Sequence, residues 1–410
     1  MNAKPLPKAV LFTAFAAAAL AFAVQFLLPP GTAIVQGCGG VDYNVYRAAA
    51  QVVLGGESLY DRALTHNPEL GFTYPPFAVL AFLPMAVFPR LIGEALHVLI
   101  SILALALVIG RTLELGGFRR DRRLVMASVA FALGAVNLEP VQSTLWFGQL
   151  NLVLMALAFL DLLGPPASRW RGFGVGIASG LKLTPLVFVP YLLLTKQWRA
   201  AGTAVGTFLG TIALGFLVVP HDSAKFWTSV GQTTRVGPLA WPSNQAVEGT
   251  LARIWAPHDP PKALFSALAL LVGGAGLLLA AYAYRRSEQV LAVTVVGLVA
   301  CVVSPIAWSH HWVWVAPLVV LLVAKALPGD GPPRVAPALA AAALYLWVFV
   351  WPNDQSALTF DRSVEPASIG VFWLQHGPPL LRNALGAWYV YAYLAILFFG
   401  WRHLRRKTPA

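Results

Sequence analysis

GFGVGIASGLKLTPLVFVPYLLL, residues 172–194, carries a single charge, Lys182, and is flanked by Arg169 and Arg171 on one side and Lys196 and Arg199 on the other. Membrane proteins collect Lys and Arg in their cytoplasmic loops, so both flanks belong on one side and the stretch has to enter and return. Its residues permit that. Gly172, Gly174, Gly176 and Gly180 weaken a continuous helix, and Lys182 and Pro185 interrupt it. Proline removes a backbone donor and clashes with the preceding turn, and irregular backbone at membrane depth survives only where protein surrounds it. The reading is a hairpin of two short helices with its tip at Lys182 to Pro185.

The rest of the chain agrees with a membrane setting. Of its 410 residues 58% are hydrophobic and only 11% charged, with a mean hydropathy of +0.68, whereas soluble domains carry roughly 25% charged residues. Further apolar stretches fall at 9–28, 92–112, 124–141, 149–163, 200–219, 263–283, 289–303, 309–325, 335–351 and 385–401. At about 20 residues per span, and counting the hairpin as two, the expectation is an all-α polytopic membrane protein. It has about twelve transmembrane helices in a single domain over residues 1–410, with both termini inside. Lys4 and Lys8 before the first stretch resemble a secretory signal, but no small-residue cleavage site follows, so it reads as an uncleaved anchor. This topology puts 19 Lys and Arg inside and nine outside, against five Asp and Glu inside and 12 outside.

The composition also excludes several functions. The net charge of +12 would suit nucleic acid only on a soluble module with a basic face, and none is present. Cys38 and Cys301 are too few for a disulfide framework or a zinc site. No P-loop, dinucleotide glycine run or HExxH occurs.

Three outer loops are expected, at 29–91, 220–262 and 352–384. The first contains VDYNVYRAAAQVVLGG (41–56), an amphipathic run, and FTYPPFAVLAFLPMAVFP (72–89), too short and Pro-rich to span; both read as helices lying in the interface. The polar residues gather on this same face: Asp42, His66, Tyr74, Glu139, Gln142, Gln149, Asn151, His221, Asp222, Asn244, Gln245, His310, His311, Asn353, Asp354, Asp361 and His376. A site therefore opens outward.

Each candidate also has a plainer reading. Asp42 starts an amphipathic helix, where it serves either chemistry or as an N-cap. Lys182 lies at membrane depth, where a cation faces a cavity or partner or snorkels to the interface. His310 and His311 begin a span, and as neighbours on a helix they point to different faces and make a poor chelate. Glu139 and Gln142 close the outer end of the third span, and Gln149 to Asn151 open the fourth. They suit substrate contacts or interhelical hydrogen bonds equally. The aromatics, 14 Trp among them, form interfacial belts by default, yet Trp241 near Asn244 and Gln245, and Trp308 near the histidines, also suit sugar rings.

DYNVYRAAAQVVLGGESLYD (42–61), FTYPPF (72–77), FGQLN (147–151), GLKLTP (180–185) and SPIAWSHHW (304–312), taken in order, resemble the actinobacterial alpha-1,2-mannosyltransferases of the membrane GT-C class, glycosyltransferase family 87. The resemblance implies transfer of mannose from a polyprenyl-phosphate sugar donor to a glycolipid acceptor, such as a phosphatidylinositol mannoside, at the outer face of the cytoplasmic membrane. It makes Asp42 the general base; beside it, Lys182 and His310 or His311 are the candidates to meet the donor phosphate by their charge and position, and Tyr74, Glu139, Gln142, Gln149, Asn151, Asn244, Gln245 and Trp308 are candidate substrate contacts from the polar outer face. Neither a cofactor nor a metal is expected, because side chains suffice for a monophosphate carrier. Within the family, a lipomannan or lipoarabinomannan branching mannosyltransferase, or an arabinofuranosyltransferase, has the same motifs. Outside it, a secondary transporter also has twelve helices, but needs paired broken helices in two related halves; the sequence shows one.

Overall fold

The computed structural model describes residues 3–28, 39–66, 69–229, 237–328, 331–351, 370–373 and 378–406. Asn353, Asp354, Asp361, His376, Cys38 and parts of all three expected outer loops lie outside the described residues. The helices are, in order, α1 (Lys8–Leu27), α2 (Val41–Leu54), α3 (Ala78–Val87), α4 (Arg90–Leu115), α5 (Arg122–Gly134), α6 (Glu139–Phe147), α7 (Asn151–Leu162), α8 (Phe173–Leu181) and α9 (Phe188–Leu194). There follow α10 (Trp198–Val218), α11 (Pro220–Ser229), α12 (Val247–Trp255), α13 (Lys262–Arg285), α14 (Gln289–Val303), α15 (Val315–Ala326), α16 (Val335–Trp347), α17 (Pro379–Gly386) and α18 (Trp388–Arg406). The strand pair Thr65–His66 with Glu69–Leu70 stands alone among the described residues.

Among the described residues, α1, α4, α10, α13 and the run Ser309–Ala326 are long and apolar enough to cross a membrane, and counting the bent pairs α6/α7 and α17/α18 makes seven. The lateral surfaces of these helices are apolar: Phe12, Phe22 and Phe26 on α1, Leu99, Ile100 and Leu107 on α4, and Leu209 and Leu217 on α10 are exposed. Contiguous apolar exposure of this kind is costly in water and ordinary in lipid. The protein is a multi-pass membrane protein. The expected number of about twelve spans is not reached by length, since α5, α14 and α16 have 13, 15 and 13 residues. The expected single broken segment is not single among the described residues, because α6 and α7 meet at 117° and α17 and α18 at 55°, so the number of breaks does not set the protein apart from a secondary transporter.

The 172–194 stretch breaks at Lys182, where the backbone leaves the helical region. Its ends meet: Arg171 Nε donates to Gln197 Oε1 at 2.9 Å, and Arg199 Nη2 to the Ser168 carbonyl at 2.8 Å. Along α8, Gly172, Gly176 and Gly180 press in turn on Ala200, Thr207 and Thr211 of α10, so closely that a Cβ would come within 2.1, 2.5 and 2.3 Å. The contacts advance in the same order on both helices, so α8 and α10 run parallel and α9 brings the chain back between them. Asp161 of α7 accepts from the Gly172 and Val175 amides, capping α8 from a neighbouring helix.

The third apolar stretch differs from expectation. Helix α5 stops at Gly134, residues 135–137 form a 3-10 turn, and Glu139 opens α6 instead of closing the span. Pro140 suits the first turn of a helix, and the Glu139 amide is held by the Val348 carbonyl at 2.7 Å.

The main core joins α1, α4, α5, α7, α13, α14, α15 and α18, with α14 buried on all sides. A second core is made by Val45, Tyr46 and Ala49 of α2 and Val79 and Phe82 of α3, with Leu150 just before α7, Leu154 within it, and Ala178 and Leu181 of α8. It docks α2 over the tip of the α8/α9 hairpin.

Candidate active site

VDYNVY and FGQLN interlock. Gly40 caps α2 with φ +57°, and its amide donates to the Trp146 carbonyl at 2.9 Å. Gly148 ends α6 with φ +73°, and a Cβ there would lie 2.6 Å from Tyr43 Cβ. Glycine alone meets both demands, a left-handed backbone and this close approach. The α2 N-terminus is thereby pinned against the turn that carries Gln149.

Asp42, in the first turn of α2 where the helix dipole favours an anion, is half-buried. Burial raises its pKa from 3.8 to about 6, against the opposing pull of a hydrogen bond from Gln149 and the charge of Lys182. Tyr46, one turn further along α2, lies on the same face. The Tyr46 and Tyr74 hydroxyls are 2.6 Å apart and stand 3.0 and 2.9 Å from Gln149 Oε1. With the Gln149 oxygen occupied by phenols, its amide nitrogen is the atom left to face Asp42. Burial also raises the Tyr46 and Tyr74 pKa values, so both phenols stay protonated donors.

Lys182 lies opposite, at the hairpin tip. Its ammonium donates to Asn151 Oδ1 at 3.2 Å and to His311 Nε2 at 2.9 Å, and sits 5.5 Å from the centre of the Tyr74 ring. An imidazole nitrogen that accepts from an ammonium is unprotonated, so His311 is neutral with its proton on Nδ1. Thr144 Oγ1 and Asn151 Nδ2 both hold the His310 carbonyl, at 2.8 and 2.9 Å, which fixes the His310–His311 backbone against α6 and α7. Lys182, Asn151, His311, Cys301 and Trp314 line a cavity of about 30 Å³, room for one or two waters. Asp42, Tyr74, Gln149, Asn151, Lys182 and His311 thus form one constellation.

Of the other candidates, His310 adjoins the constellation through its carbonyl and its ring, and the rest lie apart from it. Glu139 accepts from Ser143, Ser309 and Tyr389 at 2.6, 2.7 and 2.5 Å. Gln142 accepts from Gln25 at 3.0 Å. Asn244 ties the Leu239 and Pro305 carbonyls to the Ala246 and Ala307 amides. Gln245 bridges Pro242, Gly386 and Tyr389. Trp308 packs on Trp241 at 5.8 Å. His310 is buried at right angles to His311, its Nε2 without a hydrogen-bond partner among the described residues. Two members of the site are absent from the expectations, Tyr46 and Cys301. The spacing of Asp42 and Tyr46 by one helical turn was a legible signal for the first; nothing in the sequence places Cys301 beneath Lys182. Among the described residues no three His, Cys, Asp or Glu side chains come together as a metal site.

The model of glycosyltransferase family 87 matches residues 72–305, more than half of the chain. The chain belongs to glycosyltransferase family 87. It is similar to the polyprenol-phosphate-mannose-dependent alpha-(1-2)-phosphatidylinositol mannoside mannosyltransferase of Mycobacterium tuberculosis, 38% identical over 69% of this chain and 70% of the relative. It is also 36% identical to the protein of the same name in Mycolicibacterium smegmatis, over 68% and 69% of the two chains. A third similarity is to the alpha-(1-2)-phosphatidylinositol pentamannoside mannosyltransferase of M. smegmatis, 34% identical over 71% of each chain. No solved structure matches. As a family 87 member the protein is a glycosyltransferase, which disfavours the transporter reading. The matched span includes Tyr74, Gln149, Asn151 and Lys182, while Asp42 and His311 flank it.

Proposed function

We propose that the protein transfers mannose from a polyprenyl phosphate to a phosphatidylinositol mannoside, forming an alpha-1,2 linkage with inversion. The names of its relatives support donor and acceptor. The single observation that carries the chemistry is the placing of Asp42, backed by Gln149, across from Lys182 at the hairpin tip. Asp42 takes the proton of the acceptor hydroxyl as its oxygen attacks C1. The bond from C1 to the phosphate oxygen breaks, and its electron pair stays on the phosphate. A beta-linked donor then gives an alpha product. Phosphate leaves without protonation, so one carboxylate suffices, unlike the acid and base pair of glycosidases.

Charge grows on the leaving phosphate, and a preorganised cation in a low-dielectric site stabilises it. Lys182 fits that role, because in this structure its ammonium is held by the neutral Asn151 and His311 and shares no ion pair with a carboxylate among the described residues. His311, once Lys182 turns to the phosphate, adds a second polar contact. No step needs a metal, so EDTA should leave turnover unchanged; inhibition reversed by magnesium or manganese would contradict this scheme.

The site faces the extracytoplasmic side of the plasma membrane in this reading, supported by the excess of basic residues at the other end. A cysteine placed at Ser168 should resist labelling from outside intact cells; labelling would overturn the orientation. The names of the relatives favour a phosphatidylinositol mannoside acceptor over lipomannan branching or arabinofuranosyl transfer. The deciding experiment offers purified protein each polyprenyl phosphosugar with candidate acceptors and reads products by mass spectrometry. Arabinose transfer, or no transfer to the mannoside, would reject the assignment.

A further inference from the structure

At the end of the bundle opposite Asp42, the segment before α1 pairs with the α4–α5 turn: the Lys4 amide donates to the Gly117 carbonyl and the Arg119 amide to the Lys4 carbonyl. Beside it lies a pocket of about 560 Å³, walled by Pro5, Leu327, Pro328 and Pro333 and lined by Lys4, Lys8 and Arg123. Lys8 and Arg123 are exposed and pair with no carboxylate among the described residues.

Leu327 is shared with a second hollow of about 520 Å³. This groove separates the packed pair α1/α5 from the packed pair α15/α16, and its lining is almost wholly apolar, with Ala17, Val323, Ala338 and Ala342 along its length and Leu138 and Tyr345 at its far end. Lining residues on α15 run from Ala316 to the adjoining Leu327, about 16 Å at 1.5 Å per residue. That is about half of a ~30 Å hydrocarbon core, the depth of one leaflet.

We propose that pocket and groove together hold one anionic glycerophospholipid, its phosphate against Lys8, Arg123 and Lys4 and one acyl chain in the groove. The charge of the pocket selects the headgroup; the continuity through Leu327 and the leaflet-deep apolar groove select a lipid over a free phosphate. Basic pockets between helices at a cytoplasmic surface bind such headgroups. The bound chain reaches Leu138, next to Glu139, where the Glu139 amide meets the Val348 carbonyl, so it also packs beneath the start of α6.

The test is native mass spectrometry of detergent-purified protein after delipidation and exposure to phosphatidylglycerol, phosphatidylcholine or inorganic phosphate. Wild type should retain one phosphatidylglycerol and neither of the others. Lys8→Ala with Arg123→Ala should weaken retention roughly fivefold per charge, about 25-fold together. Ala338→Phe with Ala342→Phe changes two exposed residues one turn apart, fills the groove without touching the charges, and should abolish retention while the protein stays monodisperse. Equal retention of phosphatidylcholine, or wild-type retention of phosphatidylglycerol by either double variant, would overturn the proposal.

Discussion

Asp42 and Glu139 approach α6 from opposite ends: Glu139 is its first residue, whereas Asp42 meets Gln149 just past its last. Their surroundings could hardly differ more. Glu139 is fully buried and accepts three hydroxyl hydrogen bonds, from α6, from the turn before α15 and from α18. Asp42 is half-exposed, has the Gln149 amide as its partner, and feels the charge of Lys182. A carboxylate saturated with internal donors ties helices together, since removing it strands those donors. One with spare acceptor capacity, beside a cation, is available to take a proton from a substrate.

The sharpest way to break this contrast is Asp42→Asn. Loss of a general base should lower the rate by roughly two to four orders of magnitude, while the unfolding temperature and donor binding stay as in wild type, because the substitution is nearly isosteric. Gly40, not Asp42, caps α2, so turnover within a few fold of wild type would make Asp42 a positioning residue and send the base elsewhere.

Lys182→Met comes next. Removing one preorganised donor from the developing phosphate charge should cost roughly 10²-fold to 10³-fold in kcat and weaken donor binding, with acceptor affinity unchanged. Wild-type kinetics would leave Lys182 a structural tie between Asn151 and His311.

The pH profile sharpens the comparison with a smaller effect. Asp42 acts as a base only when ionised, and its pKa is raised to about 6 by burial. The value of kcat/KM should therefore be level above that pH and fall about tenfold per unit below it. A descending limb near 4, the ordinary carboxylate range, would say that Asp42 is not the titrating base.

The smallest effect on catalysis is expected for Glu139→Gln. Transfer should stay within a few fold, while mismatched hydroxyl partners lower stability by about 1–3 kcal/mol, visible as an earlier thermal transition in detergent. Abolished transfer with an unchanged transition would reverse the roles of the two carboxylates.

Much of the architecture was legible because lipid is an undemanding solvent to read. A segment facing hydrocarbon must be apolar and helical, so α1, α4, α10 and α13 stand out by length and composition alone. The hairpin was legible for a second local reason, since the glycines, Lys182 and Pro185 break a helix wherever they occur. The 3-10 turn after Gly134 was not legible, because the apolar run continues through it; the Val348 carbonyl that holds the first amide of the next helix comes from more than 200 residues away.

The same division runs through the site. The sequence by itself determined the membrane class and the break at Lys182, and it made candidates of Asp42, Gln149, Asn151 and the pair His310 and His311, because charge and hydrogen-bonding capacity in an apolar chain are costly and therefore conspicuous. It left Glu139, Asn244 and Gln245 in the same group as Asp42. Only the tertiary structure separated them, since a polar side chain's role depends on how many of its bonds the fold already satisfies. Those partners, such as Tyr389 for Glu139 and for Gln245, come from helices far away in the chain, and no local pattern records them.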